Sequence, residues 1–288
     1  MKYPRIGFTA LALGLLINAL PGVANASAKT PGTVFKDCND CPEMVVLPAG
    51  SFTMGTPEDE VGRQPDEGPM HQVTFHNPFA ISRHFVLVKQ WNAFLKDTGY
   101  QMPDGDTRPG RECKAGKPRY PQGPTQPAVC MDLPEAQAYI AWLSKKTGKV
   151  YRLVSESVRE YAARAGSTGP FPFPFDEGKP YSIAKHANTY GAEDGYNYTS
   201  PAGAFAPNAF GVYDMHGNVA EFVADCAHDN YKGAPTDGSA WTEPNCELMR
   251  MRGNDYTEAP IWSRSGNRNT IFATDRGDWL GFRVVRDL

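Results

Sequence analysis

The chain has 288 residues, with 29 lysines and arginines against 32 aspartates and glutamates, for a formal net charge of -3. That balance offers no basic stretch strong enough to draw nucleic acid or an anionic membrane surface. The length allows one large domain or two, yet no linker, charge block, low-complexity run or repeat marks a boundary. The 28 glycines and 25 prolines are spread along the chain, which predicts a single irregular α+β domain over 27–288 with little regular structure.

At the start, Lys2 and Arg5 precede an apolar run from Ile6 to Leu20 and then Ala24-Asn25-Ala26. This is the pattern of a signal peptide cleaved after Ala26, and the run is too short for a membrane span. Cleavage removes two cations and no acid, taking the charge from -3 to -5. Six cysteines in an exported chain read as disulfides. The favoured pairs are Cys113 with Cys130 and Cys226 with Cys246, each closing a turn-rich loop and each stabilising by about 3 kcal/mol. Cys38 and Cys41 are left to each other. As a redox motif or half of a zinc site, CNDC lacks both a following helix and a second CxxC.

Two short strands are expected at Met44 to Leu47 and Ser51 to Met54, around a Pro48-Ala49-Gly50 turn. Gly55 to Pro69 is polar and Pro/Gly-rich and reads as a surface loop. Val73 to Phe75 and Phe79 to Ser82 read as strands. Val88 to Thr98 places Val88, Trp91 and Leu95 on one helical face, with Gly99 as the stop. Tyr100 to Pro127 is a long turn-rich loop. Asp132 caps a helix with Pro134 in its first turn and Gly148 at its end, with Ala136, Tyr139, Ile140 and Leu143 facing inward. Val150 to Leu153 is a strand, and Ser155 caps a helix from Glu156 to Ala165 that Gly166 stops. In FPFPFDEG, Phe171, Phe173 and Phe175 alternate with prolines, giving a stiff extended ridge that either lines a ligand cleft or covers the core.

The densest stretch is NAFGVYDMHGNVAEFVADC, Asn208 to Cys226. Gly211 and Gly217 permit tight turning, and Asp214, Asn218 and Glu221 gather oxygens within eight residues. Two readings fit: an Asx-rich loop that caps its own backbone, or a calcium site. The six histidines show no HxH or HExxH spacing, so catalytic zinc finds no ligand set.

YDMHGNVAEFVADC resembles the GNVWEW signature of the formylglycine-generating-enzyme-like (sulfatase-modifying-factor) family. Four further segments agree in order: MVVLPAGSFTMG, YRLVSESVREYAARAG, RMRGNDY and GFRVVRDL. The resemblance covers nearly the whole chain after residue 26 and implies the C-type-lectin-like fold of that family. It also implies structural calcium at two places. One set is Asn188 and Asp194 with the carbonyls of Thr189 and Tyr196. The other is Asp214 and Glu221 with Asn218 nearby and the carbonyls of His216 and Val219.

Aerobic members of the family bind copper(I) through two cysteines, the first in a GGSxxC segment, because soft thiolates select that ion. Here the matching segment is Gly253-Asn254-Asp255-Tyr256-Thr257-Glu258, and no cysteine follows Cys246. Asp255 stands in place of the serine, Glu258 in place of the first cysteine, and Ala220 in place of the signature tryptophan. No copper is therefore expected. The pocket floor becomes Asp255, Tyr256, Glu258 and Arg268 as catalytic candidates, with Glu258 or Asp255 as general base. Arg264 and the Phe171, Phe173 and Phe175 ridge are the candidates for holding a small or peptide-derived substrate. Among exported members without the copper cysteines, the chain resembles those of pyoverdine siderophore maturation. That implies a periplasmic oxidation of dihydropyoverdine to the fluorophore. A non-catalytic accessory module, or another oxidase of an exported substrate, are the rival readings. The accessory reading predicts a shallow surface over 253–268 without convergent carboxylates.

Overall fold

The runs MVVL and FAIS are buried at every position, and all but Ser82 are apolar, as strands covered on both faces should be. The computed structural model describes Met1 and residues 29–104, 112–176 and 178–288. Apart from Met1, the segment read as a signal peptide lies outside the described residues. In chain order the elements are β1 (Val34–Phe35), β2 (Met44–Leu47), β3 (Gly50–Met54), β4 (His71–Phe75), β5 (Phe79–Ser82), α1 (Val88–Thr98), β6 (Cys113–Lys114), β7 (Lys117–Pro118), α2 (Leu133–Thr147), β8 (Tyr151–Leu153), α3 (Glu156–Arg164), β9 (Ala220–Cys226), β10 (Leu248–Arg252), β11 (Asn269–Phe272), β12 (Leu280–Gly281) and β13 (Val284–Asp287).

A five-stranded antiparallel sheet runs in the order β1-β2-β5-β13-β8, so the C-terminal strand lies between elements formed much earlier in the chain. Its side chains alternate between two cores. Met44, Ala80 and Val284 face α1 and α2, where Trp91, Phe94, Tyr139 and Phe282 pack edge to face. Val45, Leu47, Ile81 and Val285 face the other way, toward Val158 and Tyr161 of α3. A second sheet, β11-β10-β9-β12, is antiparallel except for the β9–β12 pair.

The helices end where their caps predict. Asp132 and Glu135 close a capping box at the start of α2, and Gly148 ends it in the left-handed region. Ser155 caps α3, but Ala165 rather than Gly166 takes the left-handed turn after it. The buried face of α1 is Gln90, Trp91 and Phe94, with Leu95 at its margin. The expected disulfides Cys38–Cys41, Cys113–Cys130 and Cys226–Cys246 all form.

Two features depart from the reading of the sequence. The 55–69 loop is not a plain surface loop: Glu67 is fully buried, held by Arg264 at 2.7 Å. Strands β9 and β10 escape the periodic pattern because charged residues occupy buried positions in them, among them Glu221 and Arg252, and β11 and β12 are too short or too polar to show one.

The turn that leads into β9 depends on Gly217. Its φ is +85°, and an added Cβ would lie 2.1 Å from the carbonyl oxygen of Asn188. Gly217→Ala is therefore expected to destabilise the fold by more than about 2 kcal/mol, a combined strain and clash effect. A melting temperature within a degree of wild type would contradict this packing.

Candidate functional site

The site grows from the buried charges of α3. Its sequence ESVREYAAR puts Glu156, Arg159, Glu160 and Arg164 on a helix that is buried all round. Glu156 chelates Arg268 at 2.7 and 2.9 Å and also meets Arg252 at 3.3 Å. Glu160 takes Arg164 at 2.8 Å and Arg252 at 2.5 Å. On the same helix Arg159 pairs with Glu221, whose second oxygen takes Arg283 at 2.9 Å. The surrounding cations hold the carboxyls of Glu156 and Glu160 below the usual range, against the opposing effect of burial.

Beside this lattice lies a cleft of about 690 Å³, between the 64–66 turn and the segments 254–258 and 262–270. Asp255, Glu258 and Arg268 all line it. The surface over 253–268 is thus concave and carries two carboxylates, unlike the shallow face an accessory module predicts. Asp255 is buried, and its Oδ1 accepts the Thr257 amide at 2.7 Å and the Thr257 hydroxyl at 2.6 Å. Glu258 is half-buried, and neither a hydrogen bond nor an ion pair to its carboxylate is found among the described residues. Arg268 does not pair with Glu258: its fork is closed by Glu156, and its remaining nitrogen donates to the Asp66 carbonyl at 2.5 Å.

The other candidates sit elsewhere. Tyr256 turns away from the cleft, where its hydroxyl accepts from Arg119 at 3.3 Å and its ring packs edge-on to Tyr120 and Tyr198. Arg264 does not line the cleft. It is buried and binds Glu60 and Glu67 at 2.7 Å each, fastening the 55–69 loop to the 260–268 turn. The Phe ridge does not line the cleft either. Phe171 packs with Ile183 and Ala187, Phe173 stacks on His186 at 4.4 Å, and both meet the edge of the buried His216 ring. Among the cleft residues that the sequence reading does not mark as site candidates are Trp262, Trp279 and Arg250. The last lies in the RMRGNDY motif, and its alternation with Met249 and Met251 is the signal that could have placed it.

The sulfatase-modifying factor enzyme 1-like domain matches residues 30–288. The chain belongs to this family. It is 31% identical over 306 residues to the formylglycine-generating enzyme of Mycobacterium tuberculosis, covering 85% of this chain and 98% of that one. It is 29% identical over 285 residues to the inactive C-alpha-formylglycine-generating enzyme 2 of Bos taurus, covering 84% and 87%. Among solved structures, PvdO from Pseudomonas aeruginosa is 74% identical and superposes with a TM-score of 0.89, covering 91% of this chain and 100% of that one. The formylglycine-generating-enzyme fold is therefore shared. All six cysteines of this chain are disulfide-bonded.

The two oxygen sets that the family implies for calcium behave differently. In the first, Asn188 is buried with its Oδ1 unpartnered, and Asp194 receives the amides of Thr189 and Tyr196 at 2.8 Å each. A buried amide oxygen without a hydrogen-bond partner is the kind of ligand a hard cation takes. The second set is largely engaged by protein groups. Both oxygens of Glu221 are engaged by guanidinium groups, and the Asn218 Oδ1 accepts the Ser200 amide at 2.9 Å. A third cation beside Arg159 and Arg283 would be repelled. Within the set of Asp214, Asn218 and Glu221, with the carbonyls of His216 and Val219, the Asp214 Oδ2 is buried without a partner, while Glu221 and Asn218 are engaged by protein groups. Burial pushes the Asp214 carboxyl up to about 7.

Two histidines stay neutral inside the fold. Burial lowers His216 to about 3, against the Ser263 carbonyl that its Nδ1 meets at 2.7 Å. Burial, then Arg283 and Arg83, lowers His84 to about 4. Both lie below the ordinary 6.5, so the unfolded chain binds more protons as the pH falls. Stability from this source is complete above 6.5 and is lost as pH drops toward 4 and then 3. Melting temperatures from pH 7 to 4 should fall more steeply for wild type than for His84→Gln or His216→Gln; parallel curves would contradict the assignment.

Proposed function

We propose that this protein oxidises dihydropyoverdine to the pyoverdine fluorophore in the periplasm, with the 690 Å³ cleft as its active site. The observation that carries this reading is Glu258, a half-buried carboxylate on the cleft with no cation holding it, at the position where copper-dependent relatives place a thiolate. The high identity to PvdO supports the pathway, and three disulfides suit an oxidising compartment. In the reaction, Glu258 takes a proton from the dihydro ring. The second proton and two electrons leave to an external acceptor; with dioxygen, the products are the aromatised ring and hydrogen peroxide. Trp262 and Trp279 replace the Phe ridge as the aromatic walls of the site. General-base catalysis of this kind contributes about 10²- to 10⁴-fold. Purified protein given dihydropyoverdine should develop the fluorophore absorbance, and Glu258→Gln should slow it about 100-fold or more. Wild type and Glu258→Gln behaving alike would leave the accessory-module reading in its place.

We further propose that Asn188 and Asp194, with the carbonyls of Thr189 and Tyr196, hold one structural calcium ion. A chelator should lower the melting temperature of wild type but not of Asn188→Ala. An unchanged melting temperature of wild type on chelation would remove the site.

A further inference from the structure

The charged side chains on the cleft walls differ in what an entering molecule would meet. Both bases are committed within the protein and only 3% exposed. Arg268 has Glu156 across its fork and the Asp66 carbonyl on its remaining nitrogen. Arg250 donates to the Asp66 carboxylate at 2.8 Å and to the His228 carbonyl. Asp66 is thereby neutralised, and Asp255 is buried and accepts from Thr257. The charge left facing solvent is acidic. Asp229 is exposed and Glu258 half-buried, and neither carboxylate has a hydrogen bond or ion pair among the described residues.

The backbone is pinned on both sides of Asp229. Before it, the Ala227 amide donates to the Leu248 carbonyl at 2.8 Å. The His228 ring stacks on Trp241 at 3.6 Å, with its Nε2 2.8 Å from Glu243. After it, the Tyr231 amide donates to the Gly68 carbonyl at 2.8 Å. A carboxylate on a fixed backbone loses little freedom when it pairs with a ligand. Trp262 and Trp279 line the same cleft. An acid and indole rings around one space suit an organic cation, since the acid supplies charge and the ring faces attract it. An anion would meet two bare carboxylates there, with no uncommitted arginine or lysine on the walls to receive it.

We propose that Asp229 is a specificity-determining residue that selects the substrate by charge, receiving an ammonium or guanidinium group attached to the ring from which Glu258 takes its proton. The inference rests on the cleft being the active site and deepens that reading by assigning the charge of the substrate's non-reacting end. The two acids divide the work. A cation seated on Glu258 would lower its basicity and block its approach to the ring, so the cation belongs at Asp229. Held there, the non-reacting end orients the ring against the base.

The test uses the intact protein and three phenols of similar size: tyramine, a cation; tyrosol, its neutral alcohol; and 4-hydroxyphenylacetate, an anion. Titration calorimetry at low salt should show tyramine binding at least about 5-fold more tightly than tyrosol, the size given by one partly exposed ion pair with an indole neighbour. The anion should bind most weakly. The preference should shrink in about 0.5 M salt, where screening acts within a few ångströms. Asp229→Asn should lose most of the preference, Asp229→Lys should turn it toward the anion, and Glu258→Gln should keep it. Asp229 is exposed and unbonded, so both of its variants should melt with wild type. A preference that survives in Asp229→Asn, or equal binding of tyramine and tyrosol by wild type, overturns the proposal. With dihydropyoverdine as substrate, Asp229→Asn should raise KM about 5-fold and leave kcat within about 2-fold. Oxidation with an unchanged KM in that variant removes the Asp229 assignment and keeps the oxidase reading. The charge preference without any oxidation keeps the assignment and removes the oxidase.

Discussion

The fold depends on guanidinium groups and carboxylates sealed together around helix α3. Glu156, Glu160 and Glu221 each accept two arginines, and every one of these side chains is buried. Desolvating such ions costs several kcal/mol each, so the lattice is weak evidence for net stability; apolar residues of similar size could serve that purpose. What apolar residues could not supply is address. A carboxylate between two forks fixes which strand, turn and loop meet, and removing one partner strands the other in a medium that cannot solvate it. The arginines come from α3 itself, from β10, from the 264–268 turn and from the β12–β13 junction, while the acids come from α3, β9 and the 60–67 loop. A chain poor in regular structure thereby obtains one register for segments far apart in sequence.

The same lattice determines the chemistry of the cleft by deciding which charges are already satisfied. Arg268 and Arg264 look like anion-binding residues in sequence, yet each is neutralised by buried acids and serves position only. Glu258 lies outside these pairs, on the rim of the concavity they build. The 60–67 loop, fastened by Arg264, Arg250 and Arg268, forms the opposite wall. Among the described residues that line the cleft, Glu258 and the exposed Asp229 are carboxylates outside the lattice, and a base on walls held by ion pairs can be kept within hydrogen-bond reach of one particular proton.

What the sequence disclosed and what it hid follow from range. Caps and breakers act over three or four residues, so α1, α2 and α3 were legible from Gly99, Asp132 with Gly148, and Ser155. The family motifs carried the fold and the place of the cleft. Ion pairing acts across the fold, and it defeated local reading. Glu221 resembles a calcium ligand until Arg159 and Arg283, each 62 residues away, are seen to hold it. Arg252 and Glu221 likewise break the apolar pattern of β10 and β9, which concealed the second sheet. Phe171, Phe173 and Phe175 were recognisable as a ridge, but no local rule could tell that His216 and His186, rather than a ligand, lie beneath it.

Under the proposed reading a carboxylate at position 258 takes the place that the family resemblance gives to a thiolate, and this constrains the oxidation. A thiolate pair can hold copper and pass single electrons, whereas a carboxylate moves protons and stores no electrons. The redox work must then lie in the substrate and its acceptor. A catechol-type ring is suited to that division, since each proton withdrawn raises its electron density and makes the next electron easier to lose. Under the proposed reading the protein needs only to orient the ring, take the first proton at Glu258 and leave the ring edge open to a dissolved oxidant. The half-exposed setting of Glu258 agrees with that requirement better than a closed chamber would. The disulfides complete the logic: with every cysteine bonded, no thiol is left in the chain to compete for the oxidant or be consumed by it.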